Sequence, residues 1–363
     1  MIRKILPLST EGHPREMAFF EEIRPRVVRP NEDLQAVINM NYKIELLPNA
    51  EYVLRAPIIV TRLLYVIGNH ATVRILGSFE VMFDIRFRER QRMRKEMQRG
   101  VFRNVFFEGD GFSGNLFKIS TSMTFHSCTF RAFGGIVIDA ALGVTVQGCV
   151  FNNCAYCVYG HDNMKLNIRY NHFEDCNVCI NSKSPVVIKN NVAVHCACFC
   201  TVSDVGVIKR NTVLGLIRDV ENPTYQLVTC AEKCAFPLHT IHVSSCSHGW
   251  PEFIQNNFSF CSIFLAHRST TVCFMKCMIS DCHILFDCVN PFNSCLLNGF
   301  VHRSVIGRIL QFHPNQEGEE KPCLCGSAHH LPNIITCAVN GCNKEEPLLY
   351  SCLKHDLSSE DDE

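Results

Sequence analysis

Metal-type chemistry is densest toward the end of the sequence. Cys323-x-Cys325-Gly is a tight turn that presents two thiolates to one ion, and His329 follows four residues later. Cys352 and His355 form a second pair at CxxH spacing, with Cys337 and Cys342 as spare donors. Tetrahedral zinc takes Cys and His ligands at this density, and a small polar segment with little core needs such a staple. The expectation is a structural zinc held by Cys323, Cys325, His329 and Cys352, with Cys337, Cys342 and His355 as alternates. No other cofactor is expected. The spacing fits no common finger template, so a tail with free thiols is the competing reading.

A second group of thiols lies mid-chain: Cys154/Cys157, Cys176/Cys179, then Cys196, Cys198 and Cys200. Each CxxC resembles a metal or redox motif locally. Their recurrence beside Phe, Val and Ile favours buried thiols acting as small hydrophobes. A metal held between successive repeats is the alternative. The chain has 23 Cys, which in a sequence of 363 residues reads as a reducing compartment, cytosol or nucleus, rather than a disulfide scaffold.

Catalytic sets are sparse. Asp139, Asp162 and Asp175 are isolated, without the paired carboxylates that sugar-cleaving enzymes use, and His195 and His242 read as exposed or hydrogen-bonded ladder residues. There is no phosphate-binding Gly loop and no nucleophile–base pair. The expectation is a protein that is not an enzyme. Two charged stretches stand out. Arg86, Arg88, Arg90, Arg92, Arg94, Lys95, Arg99 and Arg103 form a basic patch, read as a solvated excursion or as a surface for RNA, DNA or an acidic partner. Ser358 and Ser359 precede Glu360-Asp361-Asp362-Glu363, a site for phosphorylation by an acid-directed kinase or a plain solubilising tail.

These groups must be carried by a repeat. VTVQGCVFNNC, LNIRYNHFEDC, VVIKNNVAVHC and GVIKRNTV share one pattern: alternation, an Asn or Cys, and an apolar residue two positions on. The key position falls at Asn104, Cys128, Cys149, Asn171, Asn191, Asn211, Asn256, Cys277 and Asn298, followed by Phe106, Phe130, Phe151, Phe173, Ala193, Val213, Phe258, Ile279 and Phe300. The long gap from Asn211 to Asn256 reads as two coils with an insertion between Leu216 and Pro237. A period of about 20–24 residues with β-branched strands and no LxxLxLxxN pattern predicts an all-β, right-handed parallel β-helix. Asn over Asn can form an amide ladder, and Phe and Cys columns can fill a narrow interior.

The rest of the organisation follows. Residues 1–30 read as a flexible leader with no signal peptide. Asn31 caps a short helix with Glu32 and Asp33 in its first turn and Leu34, Val37 and Ile38 as its apolar stripe, covering the open end of the solenoid. The β-helix domain occupies 31–303, a linker 304–322, and a Cys/His-rich module with an acidic tail 323–363. No apolar run is long enough to span a membrane, and Lys+Arg balance Asp+Glu at 35 each, so partners must be read from local patches.

Several segments resemble the adenovirus early-region-1B large T-antigen family: YVIGNHATVRI, FFEGDGFSGNLF, VHCACF, VGVIKRNTVLG, TIHVSSCSHGWPEFIQNN and CLCGSAHH, with the Ser-Ser-acidic end. The resemblance covers roughly residue 31 onward. It implies a viral early regulatory protein acting with a viral early-region-4 partner protein and a host elongin–cullin ubiquitin ligase as its substrate-recognition adaptor. It further implies binding of the host tumour-suppressor transcription factor and of DNA-repair proteins, a block on apoptosis, and help to late viral mRNA export. Phosphorylation of the family's acidic end implies the same for Ser358 and Ser359. A trimeric minor capsid protein of the same ancestry is the structural alternative, a polysaccharide-active enzyme a more distant one. RNA and a second copy of the chain stay open as partners.

Overall fold

Every second side chain is buried along Leu166–Arg169, Val186–Lys189 and Gly206–Lys209, which is the period of a strand with one side on a core. The computed structural model describes residues 23–87, 99–161, 165–183, 185–202, 205–218, 227–229, 235–237, 239–243, 251–265, 272–287, 294–297, 300–309 and 330–335. Along the stack, strands pair in parallel with their counterparts one coil later, as in Leu166↔Val186 and Val186↔Gly206. The result is a parallel β-solenoid with three faces. The first carries Val144–Gln147, Leu166–Arg169, Val186–Lys189, Gly206–Lys209 and Pro251–Ile254. The second carries His172–Glu174, Val192–Val194, Thr212–Leu214 and Asn257–Ser259. The third carries Val178–Ser182, Cys198–Val202, Ile241–Val243 and Ser262–Leu265.

Two sharp corners per coil turn the chain between faces. Tyr170, Asn190, Arg210 and Gln255 hold the left-handed region at the first corner, and Asp175, His195, Phe260 and Asp281 at the second. A non-glycine residue there costs about 1–2 kcal/mol, so something must hold the corner. At the first corner it is an amide ladder. Asn171 donates from its backbone N (2.9 Å) and Nδ2 (3.0 Å) to Asn191 Oδ1. Asn191 does the same to Asn211, and Asn211 to Asn256, all at 2.9 Å. All four side chains are buried, where an unpaired amide would be costly. At the second corner Cys154, Cys176, Cys196, Cys261 and Cys282 donate S–H to the carbonyl two residues earlier. Inside, Phe107, Phe130, Phe151 and Phe173 stack with centroids 5.4, 4.8 and 5.0 Å apart.

The register corrects the sequence reading at both ends. Val105 and Phe107, not Asn104 and Phe106, sit in the columns, because Thr72↔Phe106 and Val73↔Phe107 set the pairing. Asn104 takes φ +55° instead; asparagine suits both jobs, which is how spacing misplaces it. Val301, not Phe300, continues the column from Ile279, and Asn298 lies outside the described residues. The gap from Asn211 to Asn256 is one coil, not two, since Asn211 bonds Asn256 directly. Its extra length includes an antiparallel hairpin, Leu227–Thr229 with Ala235–Pro237.

The boundaries shift as well. Arg26–Val28, assigned to the leader, pairs with Lys43–Leu46 as the first strand. Ser304–Ile309, assigned to the linker, continues the third face by pairing with His283–Asp287 and then pairs antiparallel with His330–Ile335. The capping helix is Leu34–Met40, with Leu34, Val37 and Ile38 buried as expected. Its N-cap is Asp33 rather than Asn31: the Asp33 carboxylate accepts from Gln35 N and Ala36 N. Gln35 closes the open edge, donating to Ile59 O (3.0 Å) and accepting from Ile59 N (2.7 Å), as a neighbouring strand would.

Candidate functional site

Two places on this frame gather groups able to do chemistry: the sulfur-lined corner inside and the outward residues of the first face. Inside, the Sγ atoms of Cys154, Cys157 and Cys176 all lie within 4.8 Å of one another. Cys154 and Cys176 occupy successive second corners, and Cys157 and Cys179 sit on adjacent third-face strands aligned by Val158↔Ile180. This set could hold a soft ion such as zinc, whose Zn–S bonds of about 2.3 Å require thiolates. Burial pushes the Cys157 and Cys179 thiols up. Cys176 is pulled down, because the thiols of Cys154, Cys157, Cys179 and Cys196 can donate to it. Cys198 and Cys200 are also raised by burial, Cys198 to about 12. All these thiols are buried and unpaired by disulfides, as the core reading expects.

The isolated acids stay isolated. Asp139 is nearly buried, and its carboxylate accepts from Asn115 Nδ2 at 2.9 Å and lies 2.7 Å from His161 Nε2. Its register neighbours are Lys118 and Tyr159 rather than a second acid. Both oxygens are thus engaged, which suits holding two coils together. Asp175 and His195 stack at successive corners with 3.8 Å between Oδ1 and Nδ1, both well exposed. His195 precedes the ladder position rather than occupying it. His242, unlike His195, is half-buried: it packs edge-on to Phe264 at 5.0 Å and beside His239 at 6.2 Å. Burial lowers its pKa to about 4. Asp162 lies outside the described residues.

The outer first face carries a feature the sequence reading passed over. Arg169, Lys189 and Lys209 are the last residues of three successive strands and face one another in register. Going back along the column come Gln147, His126 and Arg103. Arg103 pushes the His126 pKa down after burial does. The signal was present in the repeats themselves, whose strands end VTVQ, LNIR, VVIK and GVIK. Of the expected basic patch, Arg86 pairs with Asp84 at 3.5 Å, Arg99 is exposed, and Arg103 heads this column; Arg88, Arg90, Arg92, Arg94 and Lys95 lie outside the described residues. So do Cys323, Cys325, His329, Cys337, Cys342, Cys352, His355, Ser358 and Ser359. No helix among the described residues is long and apolar enough to cross a membrane.

The sequence matches the family described as adenovirus EB1 55K protein / large t-antigen over residues 8–362. It is 28% identical over 346 residues to an E1B 55 kDa protein of human adenovirus A serotype 12, covering 95% of this chain and 71% of that one. A murine adenovirus A serotype 1 E1B 55 kDa protein is 26% identical over 332 residues, covering 87% and 76%. Among solved structures, the bacteriophage CBA120 tailspike protein 3 aligns with a TM-score of 0.32 at 11% identity, covering 81% of this chain and 46% of that one.

Proposed function

This chain belongs to the adenovirus E1B 55K / large t-antigen family of viral early regulatory proteins, and from that membership we propose that it is the substrate-recognition adaptor of a virus-directed cullin-type ubiquitin ligase. Its partners on this reading are a viral early-region-4 protein, the host elongin–cullin assembly, the host tumour-suppressor transcription factor and DNA-repair proteins. It inactivates those host proteins in the nucleus and cytoplasm, blocks apoptosis and aids late viral mRNA export, without being an enzyme itself. The observation that carries the reading is the extent of the family match, which runs through the whole solenoid and into the Cys/His-rich segment. A rigid stack of coils suits an adaptor, because it holds outward residues in fixed register while the ladders occupy the interior.

On the same reading the Cys/His-rich segment binds structural zinc through Cys323, Cys325, His329 and Cys352, and Ser358 and Ser359 are phosphorylated. Affinity purification from infected cells tests the adaptor role: cullin, elongin and the tumour suppressor should co-purify. Their joint absence, or stoichiometric presence of the chain in purified virions, overturns it. Metal analysis tests zinc, which Cys323→Ser with Cys325→Ser should lower.

A further inference from the structure

Three like charges in register are an unusual thing for a sheet to carry. Arg169, Lys189 and Lys209 occupy directly opposed positions on adjacent strands, about 4.8 Å apart per coil, an arrangement that is destabilising in itself. Burial and the surrounding cations, Arg169, Lys209 and Lys165, together pull the Lys189 pKa down. Among the described residues none of the three forms an ion pair with a carboxylate. The nearest acid by register is Glu252, which lies opposite Val207 rather than Lys209. Arg210 beside it is engaged by Gln255 at 2.9 Å.

The fold does not require these cations. The same column holds Gln147 one coil before Arg169 and Ile254 one coil after Lys209, so neutral side chains fit equally well. A charge that costs stability and is dispensable for the fold points to a ligand of opposite sign. The chain supplies one. Residues 356–363 contain Asp356, Glu360, Asp361, Asp362 and Glu363, the densest acidic run in the sequence. Four extended residues span roughly 10 Å, and two coil steps from Arg169 to Lys209 span about the same. The segment between Ile335 and Asp356, extended at about 3.3 Å per residue, reaches several times farther than the few coils that separate the last described first-face strand from Lys209.

We infer that residues 356–363 dock as an extended acidic segment on the Arg169–Lys189–Lys209 column of the same chain. The contact covers the first face with the chain's own tail, so that an external ligand for either surface must displace it. The inference does not depend on the adaptor reading.

Zero-length carbodiimide coupling of the full chain, read by peptide mass spectrometry, tests it. Amide links should join Lys189 or Lys209 to acids within 360–363, with a yield independent of protein dilution. High salt should cut that yield by about tenfold. Lys189→Glu with Lys209→Glu should abolish the links, and adding Asp361→Lys with Asp362→Lys should restore a link of reversed polarity. Should the charge-reversed chain unfold, Arg169→Gln replaces it: both coupling amines remain, the link yield should fall, and Gln147 shows that the column accepts glutamine. Three outcomes overturn the inference: no such links when other surface Lys–acid links form, a yield that rises with concentration and so reports a second copy, or column-dependent binding of a short single-stranded RNA with no tail links.

Discussion

Phe199 rests edge-on against Phe173, with ring centroids 6.4 Å apart, in the coil where the phenylalanine column is interrupted by Ala193. The two coils trade volume. In one, Phe173 is paired in the sequence with the small Cys179; in the next, Ala193 is paired with the large Phe199. All four side chains are buried. Interiors at crystal-like density feel a single misplaced methylene, so the exchange predicts a measurable coupling. Phe199→Cys alone should cost about 3 kcal/mol or more from the cavity, and Ala193→Phe alone about 1–3 kcal/mol from overpacking. The double substitution rebuilds the neighbouring coil's arrangement and should cost clearly less than the sum. Denaturant unfolding of the four proteins checks this, and additive losses would refute it.

The amide ladder makes a sharper prediction. Asn191 Oδ1 accepts from both the backbone and side chain of Asn171, while its own Nδ2 donates to Ile168 O at 3.1 Å and Asn211 Oδ1 at 2.9 Å. Asn191→Ala strands several buried partners and should cost about 2–4 kcal/mol. Asn191→Cys should cost less. Asn256 already sits above Cys277, with Nδ2 3.8 Å from its sulfur, so the position tolerates thiol. Equal losses from Ala and Cys would mean that volume rather than hydrogen bonding sets the cost.

These two sites show what the sequence makes legible. The Asn171–Asn256 ladder was readable because a buried amide repeats at coil spacing and has few other uses. Asn104 was misread because asparagine also favours the left-handed corner, and spacing alone cannot separate the two. The Ala193–Phe199 exchange was invisible, since it pairs positions on different faces. Lys189 and Lys209 were in plain view at strand ends, yet an outward charge reads as solvated until the register puts another directly opposite. The span from Asn211 to Asn256 was counted as two coils because length carries no sign of a hairpin leaving the stack.

The sulfur corner can be tested without assuming its contents. Burial keeps Cys157, Cys179 and Cys200 protonated, and thiols need ionisation to react. An alkylating reagent at neutral pH should leave these three cysteines unlabelled in the native chain and label them on unfolding. If the corner takes a soft metal, cadmium added during refolding should give sulfur-to-metal absorbance that Cys154→Ser with Cys157→Ser removes. Absorbance unchanged in that variant would place the metal elsewhere in the chain.

His242 sets an acid limit whose sign can be worked out. Burial lowers its folded pKa to about 4 from the usual 6.5, so the unfolded chain binds a proton that the folded chain refuses. Stability from this group is complete above about pH 6.5 and declines as pH falls through the window to 4. The full loss is at most about 3 kcal/mol. His242 faces Thr201 on one side and Phe264 on the other in register, so an aromatic residue without a proton fits the column. His242→Phe should therefore flatten the fall in denaturation midpoint between pH 7 and pH 5 while leaving the value at pH 7 nearly unchanged. An identical pH slope in the two proteins would assign acid sensitivity to other groups, with His239, 2.6 Å from Ser262 Oγ through its Nδ1, the next to substitute.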